Sequence, residues 1–335
     1  MINERKSVQE DEVDVQKRKD FILINLESKN QSGTCHAIIQ DDCICALKEK
    51  LVPYADLIIA DPPYYKVVGE KWDYQWRTEQ DYIDWSVQWL SAAYDMLRIG
   101  GSMYLFGYFR TLALLLPKLK EIGFSLRQQI VIDKGLKAVA GRATKNYKMF
   151  PCTTESVLLL TKDNIRFSRE FLKKRQLELG LTSKEINQSL GVKSNGGGMW
   201  SIYTGNNVCE QFPTREIWDK LQSVLSFNID YDKIAQTFHP QMGLTDVWTD
   251  IDFYSEKRWH PTQKPLKLIE RLIETSSNPF DKVIDPFGGS GSTLLASEKL
   301  NRQSFIIEKD EKYVKAMMER FTSETGNRPL DLESI

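Results

Sequence analysis

Several things are scarce in this 335-residue chain, and each scarcity excludes a class of protein. No apolar run reaches membrane-spanning length, so a bundle of bilayer-crossing helices is not expected. The opening MINERKSVQEDEVDVQKRKD has no apolar stretch of the kind a secretory signal needs. Cysteine is present at Cys35, Cys43, Cys45, Cys152 and Cys209, an odd count with no CxxC pair, so neither a zinc site nor a disulfide framework is suggested. The expectation is a reduced, cytoplasmic protein. Net charge of one sign is also missing: 45 basic residues meet 46 acidic ones, so the whole molecule does not advertise a polyanionic partner. There is no GxxxxGK[ST] loop, which argues against a P-loop nucleotidase, and no internal repeat.

What is present is an alternation of short apolar runs with helical spacing. HAIIQ (36–40) and ADLIIA (55–60) end in polar turns, as buried parallel strands do, and CICALKEKL between them has helical periodicity. DYIDWSVQWLSAAYDMLRIGG reads as an amphipathic helix stopped by Gly100 and Gly101. SMYLFG is the next strand, and TLALLLPKLKEIG a helix in which Pro117 suggests a kink or a later start. SLRQQIVID and ESVLLLTK follow as strands. From about residue 260 the pattern resumes with PLKLIERLIETS, KVIDP, STLLASEKL and SFIIEKD. This is the pattern of a doubly wound, Rossmann-like α/β sheet. Residues 1–33 read as a charged N-terminal arm, with some order around Phe21–Leu26. Residues 34–165 and 256–325 form the α/β domain, and 166–255 a small helical insertion. Within the insertion, Thr182 and Glu185 form a capping box, NGGGMW a glycine-rich turn and TREIWDKLQSVL a final helix.

Two motifs carry chemistry. In KVIDPFGGSGST an apolar strand ends at Asp285 and a glycine-rich turn leads into a helix, which lets backbone approach a ligand closely. A second strand ends in Glu308, at the spacing that places an acid on ribose hydroxyls. The turn is not the spaced GxGxxG that wraps a pyrophosphate, and Asp285 would repel one. An acid there suits a cofactor bearing an ammonium and a sulfonium, which points to S-adenosylmethionine. The second motif is ADPPY, directly after the strand DLIIA. Its prolines, Pro62 and Pro63, stiffen a turn that presents the Asp61 carboxylate and the Pro62 carbonyl as acceptors, with Tyr64 as a stacking face. Two acceptors on an aromatic amine favour a pyramidal nitrogen whose lone pair can attack a methyl sulfonium directly. Such a base must first leave the duplex.

Together, and in this order, the motifs resemble the bacterial and phage amino-methyltransferases of DNA. DPPY comes first and HPTQKP (260–265) precedes DPFGGSGST, so the chain is similar to the permuted beta group. The resemblance covers roughly residues 36–165 and 256–322. It implies cofactor contacts from Asp285, Pro286, Phe287, Gly288, Gly289, Ser290, Gly291, Thr293 and Glu308. It also implies that Asp42 of QDDC reaches the adenine amine, and that Thr262, Gln263 and Lys264 lie near the methionine end, where Lys264 could meet the carboxylate. The pattern departs in two places: QDDC lacks the usual glycine, and TTESVLLLTK lacks the usual aromatic or histidine beside Glu155. The role of Glu155 is therefore left open, with core or surface placement as the alternative. His260 is assigned positioning work, because the chemistry needs no strong base.

The DNA itself is expected at two places. The stretch Lys134–Lys148 carries Lys134, Lys137, Arg142, Lys145 and Lys148 without an acid, so it reads as a basic loop. The insertion resembles a phage-repressor-like helix-turn-helix domain, with ten basic and seven acidic residues between Lys162 and Lys220. It is expected to recognise the target through residues around Lys193–Trp200. The resemblance implies an adenine-N6 methyltransferase acting on double-stranded DNA, with a homodimer and a cognate restriction enzyme as further partners. N4-cytosine methylation, RNA or protein amine methylation, and a non-catalytic DNA-binding regulator are the alternatives. The Asp of DPPY favours adenine over cytosine.

Overall fold

The computed structural model describes residues 22–27, 34–65, 74–139, 148, 150–191, 198–205 and 210–326. The chain opens with β1 (Ile22–Glu27), antiparallel to β2 (Cys35–Gln40). The expected arm therefore contributes a strand. Its Ile24 and Leu26 are buried while Asn25 between them is exposed, an alternation that the charged flanks obscure. Next come α1 (Cys43–Lys48), β3 (Ala55–Ala60), α2 (Glu79–Met96), β4 (Leu97–Gly107), α3 (Phe109–Ile122), β5 (Phe124–Asp133) and β6 (Thr154–Lys162). Four helices follow: α4 (Asn164–Leu179), α5 (Ser183–Ser189), α6 (Gly198–Thr204) and α7 (Arg215–Leu225). The chain then forms β7 (Val247–Trp248), α8 (Leu266–Ser276), β8 (Lys282–Asp285), α9 (Ser292–Lys299), β9 (Gln303–Glu308) and α10 (Glu311–Thr325).

The nine strands form one sheet in the order β1-β2-β9-β8-β3-β4-β6-β5-β7. Strands β2, β9, β8, β3 and β4 are parallel, and β6 runs antiparallel between β4 and β5. Both faces are covered, which is why the central strands read as unbroken apolar runs. On β3, Ile58 and Ala60 pack with α1, α2 and α3, whereas Leu57 and Ile59 pack with α8 and α9. The chain order reverses between β8 and β3, a topological switch point. These two strands are paired in parallel, Leu57 with Val283 and Ile58 with Ile284, so Asp61 and Asp285 emerge side by side at the same edge.

Three sequence expectations change. The helix expected to stop at Gly100 and Gly101 ends at Met96, and both glycines lie inside β4. Gly100 serves a close approach instead: it holds φ +75°, and a Cβ there would lie 2.3 Å from the Ile234 carbonyl oxygen. The helix around Pro117 starts earlier than expected, at Phe109, with the proline in its interior. Of the expected turn NGGGMW, 195–197 lie outside the described residues and Gly198, Met199 and Trp200 open α6, which is buried through Trp200, Tyr203 and Thr204.

The insertion packs around its own core of Leu172, Ile186, Trp200, Tyr203, Trp218 and Leu221. The residues on either side of its four helices are pinned together, because the Asn164 side-chain amide donates to the Ile234 carbonyl at 3.0 Å, whereas Val247–Trp248, expected inside the insertion, pair with β5 in the sheet. It meets the sheet at the beginning of β4, where Arg98 donates to the Ala235 carbonyl and Ile99 packs against its core. The edge where Asp61 emerges lies at the other end of the sheet, roughly 20 Å away, because β4 bulges between Leu97 and Ser102 and runs no further than the six residues of β3.

Candidate active site

Asp61 follows β3 directly, in the stiff turn made by Pro62 and Pro63. Its carboxylate is gripped from two sides. The Lys264 ammonium donates to Oδ2 at 2.6 Å, and the Tyr64 hydroxyl donates to Oδ1 at 2.8 Å. Tyr64 also lies 2.7 Å from Glu155 Oε1. Lys264 is 3.2 Å from the same oxygen, and Lys134 donates to Glu155 Oε2 at 3.1 Å. Two carboxylates thus face two ammoniums around one phenol, so the cluster balances its own charge. Burial raises the Asp61 pKa, the Lys264 ammonium opposes that, and the Glu155 charge adds to it. Glu155 is held down to about 2, because Lys264 and then Lys134 outweigh its burial. Burial and the two carboxylates push the Tyr64 hydroxyl up, so it stays a neutral donor.

The glycine turn lies across the same cavity, which has a volume of about 650 Å³. Asp42, Asp61 through Tyr64, Thr262 through Lys264, Asp285 through Ser290, Thr293 and Glu308 all line it. Of the cofactor residues expected from sequence, Gly291 alone is not on the wall; it caps α9 at φ +76°. Gly288 is needed for close packing: a Cβ there would lie 2.3 Å from Ile306 Cγ2. Glu308 ends β9 and accepts from the Gly289 amide at 2.8 Å and from the Asp310 amide. Asp285 accepts from the Thr293 hydroxyl at 2.6 Å and the Phe287 amide at 2.9 Å. Burial pushes Asp285 up to about 7, so its charge is not freely presented, which tempers the expectation that it would repel a pyrophosphate. The Phe287 ring stands edge-on to Trp89, with Trp85 5.9 Å away.

Several expected roles are corrected by where the atoms go. Lys264 points at Asp61 and Glu155, so its ammonium is spent on these two carboxylates rather than offered to a cofactor carboxylate. The Gln263 side chain accepts from the Trp259 amide and donates to Glu256 and the Lys257 carbonyl, so it folds the loop it belongs to. Asp42 caps α1 through the Ile44 amide and takes the Lys309 ammonium, while still facing the cavity. Lys134, expected on DNA, is committed to Glu155, whereas Lys137 is exposed. Arg142, Lys145 and Lys193 lie outside the described residues. Among the described residues the four helices of the insertion contribute nothing to the cavity wall, and none of the α6 residues is exposed. His260 accepts at Nδ1 from the Thr262 amide, stacks edge-on against Tyr313, and is lowered to about 4 by burial and then Lys264.

Glu155, whose role the sequence left open, is brought into the Asp61 cluster. The available signal was an acid two residues before the apolar run VLLL in the strand TESVLLLTK. A carboxylate there is either wasted or placed at the sheet edge where ligands bind.

The donor set fits S-adenosylmethionine. Acids dominate the wall at Asp42, Asp285, Glu308, Asp310 and Glu311, as a cofactor with an ammonium and a sulfonium requires. A DNA methylase family profile matches residues 55–319. The Escherichia coli K12 protein named DNA adenine methyltransferase YhdJ is 27% identical over 294 residues, 84% of this chain and 81% of that one. The Haemophilus parainfluenzae protein named Type II methyltransferase M.HpaI is 23% identical over 305 residues, 86% of this chain and 74% of that one. Among solved structures, the M1.HpyAVI–SAM complex superposes with TM-score 0.52 at 20% identity, covering 85% of this chain and 98% of that one. The cytosine-N4-specific PvuII DNA methyltransferase does so with TM-score 0.51 at 17% identity, covering 90% and 88%. These two likenesses speak to the fold. The chain belongs to the DNA methylase family and is an S-adenosylmethionine-dependent DNA methyltransferase.

Proposed function

We propose that the enzyme methylates the N6 amine of adenine in double-stranded DNA, with the base turned out of the stack into the mouth of the cavity. The observation that carries this reading is that the Asp61 carboxylate and the glycine turn open onto one cavity from adjacent strands. Asp61 accepts one amine hydrogen through a lone pair left over from Lys264 and Tyr64, since a carboxylate offers about four acceptor sites. The Pro62 carbonyl is the second acceptor. Lys264 and Tyr64 keep the carboxylate from rotating, and Glu155 keeps both of them in place. Glu308 would hold the ribose hydroxyls, with Asp42, Phe287, Gly289 and Ser290 around the nucleoside and Asp285 and Thr262 beyond it. Bound there, S-adenosylmethionine supplies an electrophilic methyl group on sulfur, so the amine needs no prior deprotonation. The burial that raises the Asp61 pKa suits it to take the proton that leaves after transfer.

The order of the motifs along the chain supports membership of the permuted beta group. The insertion is read as a helix-turn-helix-like module that touches DNA away from the methylated base, because it is mounted at the far end of β4. A homodimer, a restriction enzyme partner and a cytoplasmic location rest on the family resemblance. The Type II name of the Haemophilus relative adds support to the second of these. Among the described residues no helix is long and apolar enough to cross a membrane.

The test is transfer of labelled methyl groups to duplex DNA, RNA and protein, followed by nucleoside analysis. N6-methyladenine in DNA is the expected product; N4-methylcytosine, or label confined to RNA or protein, would reject the reading. Asp61→Ala should lower turnover by about 10²- to 10⁴-fold. Its affinity for S-adenosylhomocysteine should remain close to wild type, and retained turnover would remove Asp61 from the mechanism.

A further inference from the structure

We infer that Arg320 is a positioning residue for methyl transfer: from behind the glycine turn, it fixes the Lys264 ammonium against Asp61. The inference rests on the reading of the site given above. Arg320 lies on α10 and is 2% exposed. Its helical neighbours on the buried face, Met317 and Phe321, are apolar, and an apolar side chain at 320 would pack the helix at less desolvation cost. The guanidinium must therefore be accounted for by what it holds.

Its Nε donates to Glu324 on the same helix at 2.9 Å, and its two terminal nitrogens hold two further segments. Nη1 donates to the Ser290 carbonyl and hydroxyl, both at 3.2 Å, and to the Ser292 hydroxyl at 3.1 Å. These residues form the end of the glycine turn and the start of α9. On the other side, Nη2 lies 3.5 Å from Glu256, which accepts from the Leu266 amide at 2.6 Å and from Gln263. Glu256 therefore closes the loop that carries Lys264. Ser292 joins the two segments: it accepts from Arg320, so its own hydrogen is directed to the Lys264 carbonyl, 2.8 Å away. The Lys264 side chain then reaches Asp61. Arg320 does not line the cavity. Its influence on the reaction runs through Ser292 and the backbone of Lys264.

The test is a double-mutant cycle with two readouts: kcat on duplex DNA, and affinity for S-adenosylhomocysteine by calorimetry. Arg320→Met should lower kcat about tenfold or more, with analogue affinity within about threefold of wild type, and Arg320→Lys should recover part of the loss. Combined with Lys264→Gln, Arg320→Met should cost less than about twofold further, because its route to Asp61 is already cut. If Arg320→Met does not fold, Ser292→Ala enters the same cycle with the same expectations. A full cost in the Lys264→Gln background would overturn the inference, as would lost analogue affinity with kcat unchanged. A wild-type chain that fails to methylate adenine would reject the site reading itself. An active wild type with an additive cycle would reject only the role of Arg320.

Discussion

Asp285 shows how burial converts a sequence motif into a pH dependence. Its carboxyl is pushed from 3.8 up to about 7 by burial, against the pull of the Thr293 hydroxyl and the Phe287 amide. A raised acid favours the folded state when protonated. Its contribution to stability is full below 3.8 and is lost as pH rises through about 7. A cationic cofactor reverses the preference, because it binds best beside the ionised form. Affinity for S-adenosylmethionine is therefore expected to tighten between pH 6 and pH 8, and Asp285→Asn should flatten that dependence. Calorimetric titrations at several pH values would show it, and a wild-type affinity that ignores pH in this range would dismiss Asp285 as the titrating group. At this scale the sequence was informative wherever a residue acts through its own turn: Asp61, Tyr64 and the glycines were legible in DPPY and GGSGS. Glu155 and Lys134 were not, because their meaning arises only when β6 and β5 bring them to the edge where Asp61 emerges.

Elements were legible where their hydrophobic period was unbroken, as in β3, β8, α8 and α9. They were misread where a glycine had a tertiary rather than a local reason. Gly100 and Gly101 look like a helix stop, yet Leu97 already adopts an extended conformation and begins β4. What demands a glycine at 100 is the returning end of the insertion, more than 130 residues later, pressed against it. Strand β1 was legible as order around Phe21–Leu26 but not as a strand, because two buried side chains in a charged stretch are too few to fix its period. Gly100→Ala should be costly, since the φ of +75° and the Ile234 carbonyl both oppose a methyl group. A loss of about 2 kcal/mol or more is expected, together with faster proteolysis between α4 and β7. Thermal unfolding and limited proteolysis would measure the two effects; wild-type behaviour in both would mean that the insertion does not bear on β4 in solution.

For the whole molecule, the arrangement separates two tasks along the strands. The cavity shared by Asp61 and the glycine turn, where the proposed chemistry takes place, occupies the carboxyl edge of β3 and β8, while the insertion is seated at the opposite edge, on the start of β4. With near-zero net charge the protein has no general attraction for DNA, so binding depends on where local charge is displayed. A duplex of about 12 base pairs is roughly 40 Å long, enough to cover the cavity mouth but not to wrap to the far edge. Replacing residues 165–233 with a short linker is geometrically mild, because Asn164 and Ile234 already touch. On the short duplex the shortened enzyme should keep kcat and KM within about twofold. On plasmid DNA its KM should rise several-fold, and binding should become less sensitive to salt as phosphate contacts are lost. Single-turnover rates on the two substrates across a salt series would decide it. An equal loss on the short duplex would place the insertion at the methylated site after all, and would require it to swing around the sheet or to act from a second copy of the chain.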